Sequence, residues 1–156
     1  MELCAFALKT TGAPASSIVL EVTESAAMRE PEATVRRLEE LRGMGLRIAL
    51  DDFGKGYSSL TYLKELPVDL VKIDASFTAG LGLHPRDEHL VEVLVQLTTK
   101  WGIEVLAEGI ELARHLHWLR TTGCSLGQGW HIAHPMPFPE FSRMALSTLA
   151  TNDASL

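Results

Sequence analysis

The chain has 156 residues, 46% hydrophobic and 22% charged, which suits one soluble domain with a buried core. Its net charge of −6 excludes a grip on a nucleic-acid polymer, which needs a basic face. Cys4 and Cys124 lack metal-ligand spacing, no apolar run reaches membrane-span length, and Met1–Cys4 has no signal-peptide pattern, so the expectation is a cytosolic protein with reduced core thiols.

In chain order, Leu3, Phe6 and Ala7 place a short helix over Glu2–Thr10, stopped by Gly12. A Pro/Ser loop then leads to Ile18–Glu24, a β-branched run of the kind that parallel strands buried on both faces show. Ala33–Met44 follows as an amphipathic helix, apolar at Val35, Leu38 and Leu41. Leu46–Leu50 is the next strand and ends in Asp51 and Asp52. A loop with Gly54 and Gly56 comes after it, then a helix over Tyr57–Glu65 for which Ser58 and Ser59 are candidate caps. The alternation continues with strand Val68–Ile73, helix Arg86–Trp101, strand Glu104–Ala107, helix Leu112–Thr121 and strand Gly123–Leu126. His131–Ala133 is a candidate last strand and Pro139–Leu149 a closing helix, with Thr151–Leu156 expected to fray.

Alternating strands and helices build a parallel sheet with helical crossovers. No Gly-x-Gly-x-x-Gly or Walker loop follows any strand, which disfavours a nucleotide-binding doubly wound sheet. A parallel (β/α) TIM-barrel-like fold is preferred. With five to six βα units it is incomplete, since a full barrel needs roughly 250 residues. No linker divides residues 1–156, so one partial domain is expected.

The polar residues follow a pattern. Glu21, Asp51, Asp52, Lys72, Glu108 and Gln128 fall at or near the C-terminal ends of different strands, which share one face in a parallel barrel. Adjacent Asp51 and Asp52 repel each other, and a bound cation relieves this; the plainer reading is a solvated Asp-Asp turn. Oxygen-only donors without Cys or His spacing select a hard ion: Mg²⁺ or Mn²⁺, or Ca²⁺ as an inhibitory substitute. The Asp pair could hold two ions about 3.5–4 Å apart, the arrangement used in phosphoester hydrolysis. Lys72 either holds a nucleophilic water and offsets phosphate charge or forms a structural salt bridge at the barrel mouth. Phe53 reads as a loop anchor, Trp101 and Trp118 as helix-to-sheet packing, and His115 and His117 as an exposed helix face. His131 and His134 stand near the mouth.

Several stretches together resemble a known family. Leu20-Glu21-Val22-Thr23-Glu24, Asp51 through Leu60, Leu66-Pro67-Val68-Asp69, Lys72-Ile73-Asp74, Ala107-Glu108-Gly109-Ile110-Glu111 and Gln128-Gly129-Trp130 occur in order at fitting spacing. The chain is similar over residues 17–141 to the EAL-domain phosphodiesterases of bacterial cyclic di-GMP signalling. The resemblance implies that Glu21 and Asp51 bind a first metal and that Asp52 and Glu108 serve a second, with Asp51 bridging. It implies that Lys72 contacts the attacking water and that Glu24 braces the Asp51–Leu60 loop, including Phe53 and Gly54, which positions substrate and metal near a dimer contact. Glu111 and Gln128 are implied as further active-site positions. The implied reaction opens cyclic di-GMP to linear pGpG.

The departures are specific. The strand with the Glu-Ala-Leu signature and the next, with an asparagine ligand, are expected to precede Met1, so the chain resembles the C-terminal two-thirds of the domain. Lys55 stands where a small residue or Thr is usual, Trp130 replaces Tyr, Ser125 replaces Asp, and His134 replaces Arg or Lys. Two readings stay open: a metal-dependent cyclic di-GMP phosphodiesterase impaired by the missing strands, or a catalytically silent remnant that binds the dinucleotide or a protein. Open sheet edges add the expectation of a homodimer.

Overall fold

Residues 2–55 and 60–153 are described by a computed structural model. In chain order the elements are α1 (Glu2–Thr11), a single 3₁₀ turn (Ala15–Ser17), β1 (Val19–Thr23), α2 (Glu24–Ala27), α3 (Pro31–Gly43), β2 (Arg47–Phe53), α4 (Leu60–Glu65), β3 (Leu70–Ile73), α5 (Ala75–Ala79), α6 (Pro85–Lys100), β4 (Glu104–Ala107), α7 (Ala113–Thr122), β5 (Leu126–Gly127) and α8 (Phe138–Asp153). The strands form one parallel sheet in the order β1-β2-β3-β4-β5. Sequential parallel neighbours joined through helices are the arc of a (β/α) barrel, and among the described residues the arc does not close. Among the described residues no helix is long and apolar enough to cross a membrane.

The core lies under β2 and β3. Ile48, Leu50, Val71 and Ile73 are buried there and pack with Leu63, Leu81, Val91 and Ile110 from the helices and loops. These continuous apolar runs are what a central parallel strand requires. Two side-chain clamps fix the strand starts. Asp69 accepts from the Ile48 amide at 2.8 Å and pairs with Arg42 of α3 at 2.9 Å, and Arg47 pairs with Glu104 across the sheet.

Five expectations are corrected. β1 is not buried on both faces: it alternates, with Val19, Glu21 and Thr23 exposed, because it is an edge strand with one face uncovered. His131–Ala133 is a turn, not a strand, since the Ile132 and Ala133 amides both bond back to the Gly129 carbonyl at 2.9 and 3.1 Å. His115 is buried on α7, and neither ring nitrogen has a hydrogen-bond partner among the described residues. Burial, then the Arg114 charge, pushes its pKa below the ordinary value. Trp101 is exposed, whereas Trp118 packs against the core as expected. Cys4 lies on α1, which buries none of its residues, so only Cys124 packs against the core. The caps expected at Ser58 and Ser59 lie outside the described residues, and α8 continues to Asp153, past the expected end at Leu149.

Candidate active site

The site is built at the C-terminal ends of β1 to β4. Between Leu50↔Val71 and Phe53↔Ile73 the pairing of β2 with β3 shifts by one residue, so Asp51 and Asp52 together oppose Lys72. This is a β-bulge, a device that re-aims side chains next to functional sites. Asp52 is left-handed at φ +58°, a conformation that Asp tolerates better than most residues. The Asp51 carboxylate accepts from the Asp52 amide at 3.0 Å, holding the bulge from within.

Lys72 is the centre. Its Nζ lies 3.0 Å from Glu21 Oε1, 2.9 Å from Asp51 Oδ1 and 2.9 Å from Glu108 Oε1, so four successive strands meet at one ammonium. The lysine side chain is only 8% exposed, against 51% for Glu21 on the open edge. Burial opposes the charge, yet the hydrogen bonds to Glu108, Asp51 and Glu21 outweigh it and hold the Lys72 pKa above its ordinary value. Lys72 is therefore fully protonated near neutrality. Gln128 Nε2 donates to the same Glu108 Oε1 at 2.9 Å, so that one oxygen is shared between the ammonium and the amide.

The loop after β2 is held separately. Glu24, at the start of α2 and buried, accepts from the Gly54 amide at 3.1 Å. Gly54 sits at φ +102°, and a Cβ there would overlap the Phe77 ring, so the turn needs glycine. Phe53 is buried in the core and anchors the loop root.

Two features escaped the sequence reading. Lys55 Nζ reaches both Asp52 Oδ1 at 2.6 Å and Asp74 Oδ2 at 2.8 Å. Asp74 also caps α5 by accepting from the Ser76 amide at 3.0 Å. Burial alone would raise this carboxyl, but hydrogen bonds from Lys55 and Ser76 outweigh it and bring it to about 2. The Asp at a strand end followed by Ala-Ser was a readable capping signal; the Lys55 contact had none. The second feature is a cleft of about 480 Å³ beside Glu108, lined by Glu111, Gln128, Trp130, His134 and their neighbours. Trp130 and His134 stack on its wall with ring centroids 5.4 Å apart. Glu111 thus lines the cleft and stands apart from the Lys72 cluster.

Among the described residues no group of three or more His, Cys, Asp and Glu side chains is disposed as a cage for a metal ion. The physical reason is visible in the ion pairs: the carboxylates turn toward ammonium groups instead.

Fold and site define a class: a parallel β/α-barrel arc whose strand C-termini converge on a lysine ringed by acids. The EAL domain family matches residues 1–135, and the chain belongs to that family. It is 40% identical over 131 residues to the cyclic di-GMP phosphodiesterase NbdA of Pseudomonas aeruginosa, covering 84% of this chain and 17% of that protein. The PaMucR phosphodiesterase in complex with c-di-GMP superposes with a TM-score of 0.82 at 39% identity, over 88% of this chain and 56% of that one. The Klebsiella pneumoniae BlrP1 manganese/cy-diGMP complex does so at 0.76 and 31% identity, over 81% and 32%. The chain thus spans less than a fifth of the length of NbdA and about half of the PaMucR chain.

Proposed function

We propose that this chain carries the catalytic face of a cytoplasmic, metal-dependent phosphodiesterase that opens cyclic di-GMP to linear pGpG. The observation that carries the reading is the Lys72 ammonium, 2.9–3.0 Å from carboxylates of three other strand ends. Family membership and the c-di-GMP-bound neighbours support the same substrate.

The donor set fits a hard divalent ion. Its ligating atoms are all carboxylate oxygens, and three of them already converge on one positive charge. Glu21, Asp51, Asp52 and Glu108 would hold Mg²⁺ or Mn²⁺, with Ca²⁺ as the inhibitory substitute. When bound, the ion supplies Lewis-acid polarisation of a phosphoryl oxygen and acidification of a water. Lys72 orients the attacking water, whose oxygen bonds to phosphorus as the bond to the leaving ribose oxygen breaks. A ring carboxylate takes the water proton, and the leaving oxygen is protonated from solvent. Gln128 keeps Glu108 in place, Glu24 braces the loop at Gly54 above Phe53, and Glu111 offers a polar wall to the substrate in the cleft.

The test is hydrolysis of cyclic di-GMP by this chain with Mn²⁺ or Mg²⁺, read as appearance of the linear product and lost on chelation. In parallel, Asp51→Asn is expected to weaken Mn²⁺ binding at least tenfold by calorimetry. Unchanged affinity in a folded variant removes the metal-site assignment. A second reading rests on the exposure of Glu21 on the open edge: a silent module binds the dinucleotide without cleaving it.

Self-association belongs to the same proposal. The outer edges of β1 and β5 pair with no strand among the described residues, and Val19 and Leu126 beside them are exposed. Such edges template pairing with another chain, and a symmetric dimer is the commonest closed solution. Light scattering is expected to give about twice the chain mass of 17.1 kDa at micromolar concentration. A stable monomer overturns this.

A further inference from the structure

We propose that Lys55 is a tethered cation that holds the place of a divalent ion at Asp52, so that the loop after β2 competes with metal for its own ligand. The inference rests on the metal-dependent reading above. Lys55 Nζ stands 2.6 Å from Asp52 Oδ1, on lone pairs that an incoming ion needs. Its second contact, 2.8 Å to Asp74 Oδ2, is to a different strand end. Asp74 is buried and pinned as the cap of α5, so it is a fixed anchor. Asp52 is held in its left-handed bulge position by the bond from its own amide to Asp51.

The two lysines of the site differ in freedom. Lys72 is buried and shared among three carboxylates, so it cannot leave without stranding them. Lys55 is 55% exposed on a loop and can swing off Asp52 while staying paired to Asp74. Tethering gives its ammonium a high effective concentration at Asp52. A monovalent ion does not displace it. A divalent ion does, because five carboxylates face only two ammonium groups and leave an excess of three negative charges. Lys55 thereby raises the divalent concentration at which the Asp52 side fills.

The experiment is calorimetric titration of the chain with MnCl₂, comparing wild type with Lys55→Ala and Lys55→Gln. It is run at low salt and again at about 0.5 M KCl, where fields beyond roughly 4 Å are screened. Both variants are expected to bind Mn²⁺ at least threefold more tightly, and the gain is expected to persist at high salt, because the competition is local. Lys55→Arg, which keeps the charge, is expected to bind like wild type. A gain that vanishes in salt, or equal or weaker affinity in both neutral variants, overturns the tether and leaves the metal site standing. No Mn²⁺ binding by any variant overturns the tether and the metal-dependent reading together.

Discussion

Lys72→Ala is expected to lower kcat sharply and to destabilise the metal-free chain by about 3 kcal/mol, the low end of what breaking a buried ion pair costs. The low end applies because Glu21 is half exposed and water can reach it, whereas Asp51 and Glu108 are mostly buried. Removing the ammonium leaves three carboxylates facing one another with no counter-charge at the centre. Saturating Mn²⁺ is expected to recover most of the lost stability, since an ion can neutralise the same oxygens. It should not recover rate. A lysine acting on the attacking water stabilises the transition state more than the ground state, so kcat falls while KM stays within about twofold. Denaturant melts of the variant with and without Mn²⁺, beside steady-state kinetics, check both parts. Wild-type stability without metal would show that the carboxylates do not depend on Lys72, and normal kcat with raised KM would make it a phosphate-binding residue.

Most of the fold was legible because its strands and helices differ in period. β4 runs over Glu104–Ala107, as read from the sequence, and α6 ends at Lys100, within one residue of the reading. β1 was misjudged for a reason local sequence does not hold. A β-branched run says that a strand is apolar, but which faces are covered depends on neighbours elsewhere in the chain. His115 illustrates the same point on α7, where a polar residue faces inward without a hydrogen-bond partner among the described residues.

The strand-end acids were legible as a set because a parallel sheet puts all strand C-termini on one face. Their state was not. The acids were read as ligands awaiting a cation, with a Lys72 salt bridge as the alternative, and the structure shows two of the chain's own cations among them. Lys72 was found because it sits on a strand, where register fixes direction. Lys55 was legible only as a basic neighbour of the Asp pair; its contact with Asp74 was not, because loop side chains carry no register and the contact spans two elements. The bulge was equally silent, since no glycine marks Asp51 or Asp52, and only pairing against β3 reveals the extra residue.

The largest effect away from the charges is expected at Gly129. A Cβ there would overlap the Ile110 backbone, at both its amide and its carbonyl. Those groups are in use: the Ile110 amide donates to the Gln128 carbonyl at 3.1 Å, and its carbonyl accepts from the His131 amide at 2.9 Å. The Gly109–Glu111 and Gln128–His131 segments are thus laced together only because residue 129 has no side chain. Backbone cannot rotate aside as a flexible side chain can, so Gly129→Ala must separate the segments. The expected cost is about 3 kcal/mol, the upper end for overpacking, or a Tm lower by roughly 6–12 °C for a chain of this size. Separation also pulls Gln128 from Glu108, which now sit 2.9 Å apart, and opens the cleft wall carrying Trp130. Residual folded protein is therefore expected to lose activity beyond what its folded fraction explains. Thermal melts and per-folded-molecule rates measure the two losses separately. A Tm within 2 °C of wild type would mean that these loops part without strain, and the close approach at Gly129 would not be what positions Glu108.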